Sequence, residues 1–186
     1  MRGLLAVFLL LSVLGLAACS GPGNLPPVPQ MSDADYRLGA GDQVRIITFG
    51  DEQLTGEFRV KDDGTVSLPL LGAVKAAGLT TTQLGNEVAS TLTSRDLYRN
   101  PSVSVEVTAY RPVFVLGEVA RPGQYPYQPG MTVVTAVAVA GGFTYRAVEN
   151  AFKITRTLSG KPVEGRATPE TPVRPGDVIN VYERSF

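Results

Sequence analysis

Two Gly-Asp turns, one near each end of the folded part of the chain, constrain the architecture more than any other feature. LGAGDQVRIITF (Leu38 to Phe49) is echoed by VRPGDVINVYER (Val173 to Arg184), and each turn leads into alternating apolar residues. A second pair follows the same logic. SLPLLGAVKAAGLTTTQLGNEVA (Ser67 to Ala89) and PVFVLGEVARPGQYPYQPGMTVVTAVAVAGG (Pro112 to Gly142) each run strand, Leu-Gly, turn and Thr-initiated segment. Self-similarity of this kind points to two related units of mixed α+β character within 186 residues.

In the first unit, Lys61-Asp62-Asp63-Gly64-Thr65 lies between apolar runs and reads as a hairpin turn, Gly64 being free to take positive φ. Thr80 and Gln83 have capping-box spacing, and Leu84, Val88 and Leu92 follow at helical intervals, which predicts a helix from about Thr81 to Ser94. After Asn100-Pro101, Val103, Val105 and Val107 alternate with polar residues as in a strand with one buried face. The unit reads as ββαβ.

In the second unit, strands over Pro112 to Val119 and Gly123 to Tyr127 flank Arg121-Pro122-Gly123, where Pro fixes φ and Gly completes the reversal. The run MTVVTAVAVAGG is ambiguous: its β-branched residues favour a strand, whereas Thr132 as cap and Gly141 as terminator favour a short helix. The helix is preferred because the first unit has one in the equivalent place. Asn150 to Thr157 and Val178 to Glu183 supply further strands, with a turn at Ser159-Gly160-Lys161-Pro162.

The N-terminus is organised differently. Arg2 precedes an apolar run from Gly3 to Ala18, too short to span a bilayer, and residues 1–18 read as a secretory signal. Leu16-Ala17-Ala18-Cys19 resembles the lipobox of bacterial lipoproteins, which implies cleavage before Cys19 and acylation of its thiol and new amine. Cys19 is the only cysteine, so no internal disulfide competes for it. Ser20 follows where an Asp would resemble the inner-membrane retention signal, so the expected location is the outer membrane, facing the periplasm. Residues 19–35, with Pro22, Pro26, Pro27 and Pro29, read as a lipidated Cys followed by an extended tether.

Taken together, these residues resemble the bacterial outer-membrane polysaccharide export lipoproteins. YRLGAGDQVRIITFG with VKDDGTVSLPLLGAVKAAGLT resembles the family's export domain, here 36–109. VFVLGEVARPGQYPYQPGMTVVTAVAVAGGFT resembles its soluble-ligand-binding β-grasp module, here 110–186. The resemblance implies a homo-oligomeric ring working with an inner-membrane polysaccharide co-polymerase to conduct capsular or exopolysaccharide. The chain stops at Arg184-Ser185-Phe186 without the long C-terminal helix of the best-known members, so a short form is expected, with a separate outer-membrane β-barrel as pore.

No enzyme is expected. The chain has no histidine, which excludes Ser-His-Asp, Cys-His and His-based zinc sites, and neither a cofactor nor a metal is anticipated. Asp62-Asp63 sits in a turn and Asp51-Glu52 in a loop, where solvated carboxylates are the simpler reading than a glycosidase pair. The 17 basic residues balance 17 acidic ones and are scattered singly, so no nucleic-acid partner is expected. The alternative to a ring is a non-ring periplasmic module that binds polysaccharide or peptidoglycan and regulates export. Its difficulty is the lack of Trp, since tight sugar sites favour flat rings; Tyr36, Tyr98, Tyr110, Tyr125, Tyr127, Tyr145 and Tyr182 are more simply read as strand-face packing. Sugar-binding residues stay unassigned.

Overall fold

The computed structural model describes residues 25–30, 36–158 and 160–184, and the fold is α+β. Cys19 and the signal sequence lie outside the described residues. The first unit opens with strand β1 (Gln43–Thr48), whose Val44, Ile46 and Thr48 alternate inward. It pairs antiparallel with β2 (Asp51–Arg59) on one side and β5 (Val103–Ala109) on the other, giving the order β2-β1-β5. Strands β3 (Thr65–Leu68) and β4 (Gly72–Lys75) form a separate hairpin, so four strands rather than two precede the helix.

Helix α1 (Thr81–Ser94) has the predicted bounds because both ends are specified locally. The Thr80 hydroxyl accepts from the Gln83 N–H at 3.2 Å, and Gln83 Oε1 accepts from the Thr80 N–H at 3.0 Å, so two orphan donors are satisfied reciprocally. At the other end the N–H groups of Asp96 and Leu97 donate to the carbonyls of Thr93 and Leu92, with Asp96 at φ 55° closing the turn. Leu84, Val88 and Leu92 face a core that contains Val44, Ile46 and Val66.

The second unit is a five-stranded mixed sheet of order β7-β6-β10-β8-β9. Its strands are β6 (Val113–Gly117), β7 (Gly123–Tyr125), β8 (Ala147–Leu158), β9 (Lys161–Ala167) and β10 (Val178–Glu183), with β10 central and parallel to β6. The ambiguous segment is helix α2 (Val133–Val139), capped by Thr132 with Thr135 and ended by the Gly141 and Gly142 N–H groups on the Ala138 and Val137 carbonyls. Caps at both ends override the strand preference of five β-branched residues among the seven. Val133, Ala136 and Val137 pack into a second core with Val113, Phe152, Ile154 and Ile179.

Three further expectations change. Asp51 and Glu52 begin strand β2 instead of lying in a loop, because Asp51 Oδ1 accepts from the Gln53 and Leu54 N–H groups and starts the strand itself. The reversal between β6 and β7 turns on Gly117, at φ 86°, whereas Gly123 is an ordinary strand residue opposite Val115. The tether is not wholly a spacer: Val28 is 2 % exposed within the second core, and Pro27 bridges Arg166 of β9 in parallel.

Candidate functional site

The echoed turns share one hydrogen-bonding pattern. In the first, the Asp42 N–H donates to the Gly39 carbonyl at 3.1 Å and Asp42 Oδ2 accepts from the Gly39 N–H at 2.8 Å. In the second, Asp177 does the same with Arg174, at 3.0 and 2.8 Å. Gly41 and Gly176, the residues before each Asp, take φ 95° and 85°, a conformation that admits glycine with little strain. Both carboxylates are buried, and each has recruited an arginine.

Arg156 is the partner of Asp177. Its Nε and Nη2 donate to Oδ1 and Oδ2 at 3.0 and 2.7 Å, a bidentate pair at 3 % and 1 % side-chain exposure. Nη2 and Nη1 also donate to the carbonyls of Pro172 and Pro29, at 3.1 and 2.7 Å, so four hydrogen bonds compensate the buried charge.

Arg111 is the partner of Asp42, and it lies on the connector between the units. Asp42 Oδ1 accepts the Arg111 N–H at 2.7 Å, and Oδ2 accepts from Arg111 Nη1 at 3.0 Å and from the Tyr36 hydroxyl at 2.6 Å. The second turn grips the same connector from the other side. The Gly176 N–H donates to the Pro112 carbonyl, and the Phe114 N–H to the Asp177 carbonyl, at 3.0 and 2.9 Å. Gly39 and Gly176 leave room for the Arg111 side chain; a Cβ at Gly176 would stand 2.8 Å from its Nε.

An aromatic ladder reinforces this joint. Tyr36 meets Tyr110 edge-on at 5.2 Å, Tyr110 meets Tyr127 at 5.3 Å, and the Arg111 guanidinium lies 5.6 Å from the Tyr36 ring centre. Burial, with the Asp42 carboxylate beside it, holds the Tyr36 phenol far above its ordinary ionisation range. Three of the seven tyrosines therefore build the connection between the units. Of the others, Tyr98 donates to Asp51, holding that carboxyl below its usual range, Tyr125 donates to the Arg121 carbonyl, and Tyr145 is 85 % exposed.

The arrangement is mechanical in character. Among the described residues no three acidic side chains converge as a metal site, and no buried side-chain polar atom lacks a partner. Asp62 is exposed in the predicted turn, and its neighbour Asp63 accepts from Thr65, which holds the Asp63 carboxyl below its usual range. Sequence reasoning singled out the Gly-Asp turns but not the residues they hold. The signal was present: a buried turn Asp needs a cation, and Tyr110-Arg111-Pro112 stands where the units meet.

The joined units define a class, a two-unit α+β protein whose paired Gly-Asp turns grip a common connector. Residues 30–108 match the family described as polysaccharide biosynthesis/export protein, and residues 112–167 match the SLBB domain. The chain belongs to the polysaccharide export protein family. It is 33 % identical over 165 residues to the exopolysaccharide production protein ExoF of Rhizobium meliloti, covering 82 % of this chain and 37 % of that protein. It is 30 % identical over 167 residues to the EPS I polysaccharide export outer membrane protein EpsA of Ralstonia nicotianae, covering 84 % and 43 %. Identity to the polysialic acid transport protein KpsD of Escherichia coli is 31 % over 111 residues, 58 % of this chain and 20 % of that one. The chain thus spans less than half the length of these relatives.

Proposed function

We propose that the protein is an outer-membrane lipoprotein, acylated at Cys19 and facing the periplasm, whose copies assemble into a ring that conducts capsular or exopolysaccharide. The observation that carries this reading is the pairing of an export-type unit and an SLBB unit on one gripped connector, in a chain resembling export proteins over more than four-fifths of its length. A conduit needs subunits that keep their shape while polymer passes, and Asp42, Arg111 and Tyr36 supply that stiffness. Side chains such as Phe49, Leu70 and Leu116, 85 %, 58 % and 43 % exposed, give both units apolar surface for neighbouring copies to cover. Identical subunits joined head to tail close into a ring when the rotation per contact allows it.

In this reading the protein makes and breaks no covalent bonds. Its partners are its own copies, an inner-membrane polysaccharide co-polymerase and a separate outer-membrane β-barrel. Helices α1 and α2, of 14 and 7 residues, are too short to cross a bilayer. The assigned boundaries are a signal at 1–18, a lipidated lead at 19–35, an export domain at 36–109 and an SLBB module at 110–186, with the docked residues 25–30 adding to the last. Deleting the gene is expected to abolish polymer outside the cell while synthesis continues, and a Cys19→Ser copy is expected not to restore export. Normal export from the deletion strain would contradict the proposal.

A further inference from the structure

Residues 25–30 precede the first unit in sequence but are built into the second. The Pro26 carbonyl accepts from the Arg166 N–H at 2.8 Å, and the Val28 N–H donates to the Arg166 carbonyl at 3.0 Å, forming a parallel bridge to β9. Val28 is buried in the second core, and Arg156 Nη1 donates to the Pro29 carbonyl at 2.7 Å. Gly165 makes the approach possible, since a Cβ there would stand 2.5 Å from the Val28 Cα. This is a fitted strap with side-chain, backbone and charge contacts, each to a different part of the second unit.

We infer that the strap is a clamp that fixes the lipid surface close to the β9 edge of the second unit. The inference rests on acylation of Cys19. Without the strap, the lead from Cys19 would run 17 residues to Tyr36 and could stretch to about 60 Å. With the strap docked, the lead ends at Leu25, six residues on, and the reach is about 21 Å. The covalent path to the membrane therefore enters through the second unit, although the first unit comes next in sequence. Five residues, 31–35, then carry the chain from the strap to Tyr36, and their length has no bearing on how far the β9 edge stands from the lipid.

That last consequence gives the test. The mature chain has no thiol besides Cys19, so Glu164→Cys, exposed on β9, provides a single labelling site once Cys19 is acylated. Acylated full-length protein would be placed on vesicles of phosphatidylethanolamine and phosphatidylglycerol carrying a headgroup energy acceptor. Fifteen Gly/Ser residues, which take a flexible six-residue lead from about 13 Å to about 25 Å of root-mean-square length, would be inserted either between Ser20 and Gly21 or between Met31 and Ser32. The first insertion is expected to lower transfer from the Glu164→Cys label by at least about twofold, and the second to leave it unchanged. Equal losses from both insertions would mean the lead runs through to Tyr36, and no loss from either would mean something else holds the β9 edge; each overturns the clamp. Mass analysis of the N-terminal peptide reads acylation separately. An unmodified Cys19 would remove the lipoprotein reading and the clamp with it, whereas a modified Cys19 with equal losses removes the clamp alone.

Discussion

Asp42 and Asp177 hold the same position in matching turns, yet losing them should not cost the same. Asp177→Ala leaves Arg156 charged at 3 % exposure without its carboxylate, so a loss of about 3–5 kcal/mol is expected. Asp42→Ala leaves Arg111, which is 25 % exposed and can turn outward, so about 1–3 kcal/mol is expected. Urea unfolding of the two variants checks the order, and equal losses would mean the burial argument is wrong. Gly117 and Gly123 make a second contrast. A Cβ at Gly117 would overlap the Val181 carbonyl in the central strand and strain a φ of 86°, so Gly117→Ala should cost about 2 kcal/mol or more. Gly123→Ala meets nothing closer than Tyr125 Cε2 at 3.9 Å and should fall within about 0.5 kcal/mol of wild type. Tyr36 adds a pH dependence. Its phenol is held above the unfolded value near 10, so its contribution is intact below that value and fades as pH rises past it. In an alkaline absorbance titration, Tyr36 is expected to ionise only as the protein unfolds, a lag that Tyr36→Phe removes. Ionisation of every tyrosine before any loss of fold would contradict this.

Elements whose ends are written locally were legible in the sequence. Helix α1 needed only Thr80, Gln83 and a helical row of leucines and valine, and β10 followed directly from its Gly-Asp turn. Helix α2 was harder because Val133, Val134 and Thr135 suit a strand, and the caps decided it. The Thr132→Ala variant should therefore lose about 1 kcal/mol and weaken the helical circular dichroism signal, whereas unchanged stability would mean that packing alone holds the helix. The strap was illegible. Its prolines read as an extended spacer, and one valine among them carries no periodic signal; what docks it is Gly165, more than a hundred residues away. Gly117 was missed for a related reason, since what excludes a side chain there is β10 passing beside it and not any neighbour in sequence. The hidden features were those set by contacts distant along the chain, and the Asp42–Arg111 pair is another.

At the scale of the whole molecule, the two echoed units would be separate beads without the connector at residues 110–114. Both turns grip it, and the Tyr36, Tyr110 and Tyr127 ladder runs across it, so units with separate cores are tied together there. The family and its two units were legible because turn residues and caps cluster in short stretches; how the units are joined was not. The strap also pairs both backbone groups of Arg166 on the β9 edge, which would otherwise be open to other chains. The proposed conduit rests on many such stiff bodies closing around a passage. Electron microscopy of the acylated, full-length protein in detergent tests this most directly. The account predicts closed rings of identical subunits with a central opening, and a population of monomers under every membrane-like condition, while polymer is still exported normally, would contradict it.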